Sequence, residues 1–251
     1  MTTPIERDPM KKTGDALRAA PLEIEESLPL EWSGFINSRN TVASGPACDN
    51  MTISAHPSEV ELTNAPSDTW QKGEYRNAFV LSQPITMPTG DRVLVIQGKP
   101  DWENIQGSCG IWAHATGVFD TQGVMVPDGF AGGASGFAWM GNLSSRILRG
   151  WTYQQAEGWS PNLRCFGRAP VYHHDLVEIR ITRETTLFVV NGTIVKKAKT
   201  NIQTPAIVTQ IWLDNYAIGL PFKIGYGKVT RHQIGRFHGI SAFYGRSQSA
   251  R

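Results

Sequence analysis

Cysteine, net charge and long apolar runs are all scarce in this chain. The 3 cysteines, Cys48, Cys109 and Cys165, lie far apart and show no CxxC or Cys/His spacing of the kind zinc sites use. They read as buried thiols in a reducing compartment, with no metal and no cofactor expected. A total of 24 basic residues against 22 acidic leaves a formal charge of +2, so no global field recruits nucleic acid or an anionic membrane surface. No window approaches the ~18 apolar residues of a membrane-spanning helix. The opening MTTPIERDPMKKTGDALRAA lacks the apolar h-region of a secretory signal, and the expectation is synthesis in the cytoplasm. Amphipathic helical periodicity of useful length is missing as well, which argues against any βαβ arrangement.

What is present is strand pattern and turn chemistry. From His173 to Lys197, Leu176, Ile179 and Ile181 alternate with Glu178, Arg180 and Thr182 at the later positions, a period of two. Arg183-Glu184-Thr185 is a polar turn, and Thr186 to Val190 is almost continuously β-branched or aromatic. Asn191-Gly192 is a two-residue hairpin signal, because both positions of such a turn need positive φ. Thr193 to Val195 returns, so the stretch predicts a three-stranded antiparallel meander. Further strands are expected at Arg92 to Gln97, Cys109 to Ala115, Arg146 to Tyr153, Ala206 to Leu213 and Ile234 to Phe243. About eleven or twelve short strands separated by regular turns predict an all-β chain, an antiparallel β-sandwich. Residues 1–30, polar and punctuated by four prolines, read as an arm or linker. Residues 31–245 read as the sandwich domain, and 246–251 as a polar tail.

The residues of the second half resemble the concanavalin A-like lectin/glucanase superfamily, the laminin-G-like jelly rolls included. His174-Asp175-Leu176-Val177-Glu178-Ile179 followed by Thr186 to Gly192 (TLFVVNG) is similar to the family's paired strands around an NG turn. IWLDNY at Ile211 to Tyr216 resembles a late strand of such domains, and PITMPTGDRVLVIQG at Pro84 to Gly98 resembles the entry to the sandwich. The resemblance implies a jelly roll. Its glucanase members carry an ExDxxE pattern, which this sequence lacks. Its lectin, adhesive and phage-tail members carry no shared catalytic motif, so membership alone leaves function open.

Two constellations carry functional expectations. Trp139, Trp151, Tyr153 and Trp159, with Asn142 and Gln154 beside them, offer stacking faces and planar hydrogen-bonding groups of the sort that hold sugars, near glycine-rich loops where binding groups gather. Asp101 and Glu103 flank Trp102, which puts both carboxyls on one face of an extended stretch, and His174-Asp175 sets an imidazole beside a carboxylate. With no catalytic motif, the leading expectation is a non-enzymatic module, glycan-binding or structural, in a larger assembly such as a phage virion. Expected partners are a carbohydrate or cell-surface glycan, other assembly subunits and further copies of the chain, with no nucleic acid and no membrane. The alternative is a carbohydrate-active enzyme, hydrolase or lyase, or a small-molecule cyclase on the same scaffold, with Asp101, Glu103, His174 and Asp175 as its catalytic groups.

Overall fold

The computed structural model describes residues 17–38, 51–66, 76–105, 107–115, 134–140, 145–150, 164–169, 171–214 and 230–247. In chain order the strands are β1 (Leu22–Leu28), β2 (Trp32–Ser38), β3 (Met51–His56), β4 (Glu59–Asn64), β5 (Arg76–Ser82) and β6 (Ile85–Thr86). Then come β7 (Arg92–Glu103), β8 (Ser108–Ala115), β9 (Ala134–Met140), β10 (Ser145–Gly150) and β11 (Arg164–Arg168). The chain closes with β12 (Val177–Ile181), β13 (Thr185–Val190), β14 (Thr193–Lys199), β15 (Ala206–Asp214) and β16 (Gln233–Ser247). One antiparallel sheet, here sheet A, has the order β14-β13-β12-β7-β16-β4-β3 with β1 also on β16. The other, sheet B, runs β11-β10-β9-β8-β15-β5-β2 with β6 also on β15. The all-β sandwich expected from the sequence is what the chain forms.

Alternation along the strands explains the core. On β12, Val177, Ile179 and Ile181 face sheet B. On β8 and β15, Ile111, Ile207 and Ile211 face back, and all six are essentially inaccessible to solvent. The meander forms as the sequence predicts. Asn191 and Gly192 have φ of 47° and 74°, which a two-residue hairpin turn requires, and Val190 pairs with Thr193 across it.

Two boundaries differ from the sequence reading. Asp101-Trp102-Glu103, beyond the end of the strand expected over Arg92 to Gln97, continues β7, because β16 keeps pairing with it from Arg92 through Glu103. Pro100 is tolerated there because β12 ends opposite Gly98. Beyond that point the Pro100 carbonyl accepts from the His174 N–H at 2.8 Å instead of joining a ladder. The supposed arm, for its part, enters the fold. Residues 22–28 form β1, paired with Ala242 to Ser247 of β16, and Leu30 is buried in the core. Its glutamates read as solvent-facing polarity in the sequence. In the fold they hold the strand down, Glu25 and Glu26 meeting Arg92 at 2.9 Å and Glu25 meeting Arg246 at 3.0 Å.

Candidate functional site

The end of β7 gathers five titratable groups, Asp101, Glu103, Glu61, Arg236 and His173. Asp101 and Glu103 are two residues apart and therefore share one face of the strand. Arg236 of β16 sits directly opposite Asp101 in register, and Glu61 of β4 directly opposite Arg236. The guanidinium reaches all three carboxylates: Glu61 at 2.5 Å, Glu103 at 3.0 Å and Asp101 at 3.6 Å. The Glu61 hydrogen bond foremost, and then Glu103, raise the Arg236 pKa above its ordinary value against the lowering effect of burial.

An imidazole completes the cluster. Residues 172–176 turn into β12, and the turn brings His173 Nδ1 to 2.9 Å from Asp101 Oδ1. The Trp102 N–H points at the same nitrogen at 3.3 Å. The shorter, charge-assisted contact places the proton on Nδ1, donating to Asp101. The ring itself lies on the Trp102 indole, centroids 4.0 Å apart and planes 23° from parallel, and Trp102 also stacks on Trp139 at 5.2 Å. His173 and Glu103 are half exposed, at 47% and 52%, and Asp101 is 22% exposed. The cluster is open to solvent.

Of the residues singled out from sequence, Asp101 and Glu103 come together, but His174 and Asp175 do not join them. His174 adopts φ of 64°, a backbone turn that sends the chain onward. The carboxylate of Asp175 accepts from the Tyr172 N–H at 2.6 Å and from Asn191 Nδ2 at 2.8 Å. The imidazole–carboxylate pair expected from His174-Asp175 is therefore formed by His173 and Asp101, which are 72 residues apart; no local spacing signals it. Trp139 is corrected from sugar platform to core. It is 3% exposed and packs between the sheets with Phe137 and Phe237, so neither indole face is available. Trp151, Tyr153, Trp159, Asn142 and Gln154 lie outside the described residues.

Sheet B has a second built surface, on the side away from the core. Phe79, Leu81, Trp112, Ala138 and Trp212 form a separate buried cluster there. Trp112 and Trp212 are 4.1 Å apart, and the Trp212 Nε1–H donates to Ser108 Oγ at 3.1 Å. His114 Nε2 lies 2.7 Å from Gln210 Oε1. Since a carbonyl oxygen only accepts, Nε2 carries the proton. Burial lowers the pKa of this imidazole to about 4, against a smaller raising effect of the Gln210 bond. The described side chains of β8 and β9 on this face, at Gly110, Trp112, His114, Gly136 and Ala138, include no carboxylate. Among the described residues no three His, Cys, Asp or Glu side chains are placed to hold a metal ion.

No family model and no curated protein sequence matches this chain. Solved structures do. LamAcat from Zobellia galactanivorans superposes with a TM-score of 0.55 at 12% identity, over 87% of this chain and 93% of that one. A Bacillus licheniformis β-glucanase gives 0.51 at 14% identity, over 86% and 98%. A GlcNAcα1-4Gal releasing endo-β-galactosidase from Clostridium perfringens gives 0.56 at 10% identity, over 92% and 64%. At such identities the shared property is the fold. The leading expectation of a non-enzymatic virion module is corrected by these likenesses: the structures with this fold over most of the chain include a β-glucanase and an endo-β-galactosidase, and the enzymatic alternative fits them better.

Proposed function

From a chain whose fold is the concanavalin A-like jelly roll, we propose a carbohydrate-active enzyme, a hydrolase of a polysaccharide, acting at the end of β7. The observation that carries this reading is the convergence of Asp101, Glu103, His173 and Arg236 on an exposed strand end. Glycoside hydrolysis needs two acid/base groups across one bond, roughly 5 to 9 Å apart. The Asp101 and Glu103 oxygens contact the same Arg236 nitrogen, at 3.6 and 3.0 Å, which keeps Glu103 beside the His173–Asp101 pair. Glu103, the more exposed carboxylate, faces substrate as nucleophile or base. Asp101 orients the imidazole through Nδ1, and the imidazolium form of His173 then gives its Nε2 proton to the leaving-group oxygen. The names of the similar solved structures, a β-glucanase and an endo-β-galactosidase, support a β-linked glycan as substrate.

The missing ExDxxE pattern is compatible with this arrangement. The proposed pair is Glu103 of β7 and His173 of the turn before β12, and neither depends on that spacing. The test is a polysaccharide panel containing β-1,3-glucan, mixed-linkage β-glucan, β-galactan and alginate. Release of reducing ends without an unsaturated, ultraviolet-absorbing product is expected from at least one β-linked glycan, and its loss in Glu103→Gln. An unsaturated product, or activity that survives Glu103→Gln, overturns the assignment.

A further inference from the structure

Asn191 does more than its place in a hairpin demands. A two-residue turn of this type needs positive φ at both central positions, and glycine satisfies that at either. The side chain of Asn191 is used elsewhere. Its Oδ1 accepts from the Leu176 N–H at 2.9 Å, and its Nδ2 donates to Asp175 Oδ1 at 2.8 Å. The Asn191 backbone N–H donates to the Leu176 carbonyl at 2.9 Å. The far oxygen of Asp175 takes the Tyr172 N–H at 2.6 Å, and the His174 N–H is held by the Pro100 carbonyl. The turn of residues 172–176 is thus fastened on one side to the hairpin tip and on the other to the strand that bears Asp101. His173 stands between Tyr172, whose N–H is tied to Asp175, and His174, whose N–H is tied to the Pro100 carbonyl.

We propose that Asn191 is the positioning residue of the cluster at the end of β7, setting the His173 imidazole on Trp102 and against Asp101 by way of Asp175. This deepens the hydrolase reading and rests on it for its catalytic meaning, although the positioning itself does not. The hairpin tip is a firm anchor. The Ala19 N–H donates to the Gly192 carbonyl and the Ile194 N–H to the Leu17 carbonyl, both at 2.9 Å, so the N-terminal segment holds the tip from its other side. A chain of bonds from Leu17 to His173 has no link longer than an ordinary hydrogen bond.

The informative variant is Asn191→Gly, which keeps the backbone of the turn and removes only the side chain. His173 lies flat on an indole, so its ring protons are shifted upfield by the ring current in the full-length protein. They are assigned by comparison with His173→Gln. In Asn191→Gly the upfield displacement is expected to collapse while the melting temperature stays near that of the parent. Where turnover is measured, kcat falls roughly 10- to 100-fold with KM little changed, as expected when a reacting group is misplaced but the binding surface is intact. Should Asn191→Gly fold poorly, Asn191→Asp serves the same purpose: it keeps the acceptor for Leu176 and sets a carboxylate against Asp175. An unchanged ring-current shift in the variant that folds overturns the positioning role. A collapsed shift in a protein that turns over no glycan upholds the positioning and sinks the hydrolase reading instead.

Discussion

A single buried histidine makes the acid behaviour of this protein predictable. His114 has its pKa lowered from 6.5 to about 4 by burial. The unfolded chain therefore binds the proton more tightly than the folded one between those values. The sign follows: the stabilisation tied to a neutral His114 is complete above about pH 6.5, and is lost as pH falls toward about 4. Across that window it amounts to something on the order of 3 kcal/mol. Urea midpoints at pH 7 and pH 4.5 should fall further apart for the parent than for His114→Gln, which keeps a partner for Gln210 and does not titrate. Equal pH dependence in the two proteins would contradict the assignment. The cluster at the end of β7 was legible only in part at this scale. The i and i+2 spacing of Asp101 and Glu103 announces a shared face. The choice of His173 over His174 could not be read, because it depends on a positive φ at His174 and on an Asp175 carboxylate already occupied by Tyr172 and Asn191.

Among the elements, β8 and β9 show why a strand pattern that looks weak can be firm. Gly110 and Gly136 interrupt runs of larger residues, and a glycine inside a strand ordinarily weakens it. In the fold, a Cβ at Gly110 would collide with the Trp212 indole and the Phe137 carbonyl. A Cβ at Gly136 would meet Trp112 and the Ile111 carbonyl. The glycines leave room for two indoles to lie flat on sheet B. Gly110→Ala should cost about 2 to 3 kcal/mol through overpacking, read as a lower melting temperature together with a changed tryptophan emission. A neutral outcome would mean that the indoles have slack. The meander of β12, β13 and β14 was legible because turn chemistry and alternation agree there and all its pairings are local. The far half of β7 and the whole of β1 were not, because a proline and a run of glutamates speak locally against strands. Each is rescued by a partner remote in sequence, β16 in both cases.

For the whole molecule, β16 is the strand on which the sequence's scattered parts meet. Its 15 residues pair with β7 along one edge and with β4 and then β1 along the other. Its Arg236 draws carboxylates from two neighbouring strands to one point. That convergence, on the outward face of sheet A, is what the proposed hydrolysis depends on. The most direct test is the rate of reducing-end release from a glycan hydrolysed in the panel, compared for the parent, Asp101→Asn and His173→Gln, each verified as folded by circular dichroism. His173→Gln is expected to lose roughly 100- to 10,000-fold in kcat, the usual range for an acid/base group, and Asp101→Asn, which removes the carboxylate that orients it, to lose activity with it. Near-parental rates in both would contradict the claim and move the search for the chemistry to another part of the chain.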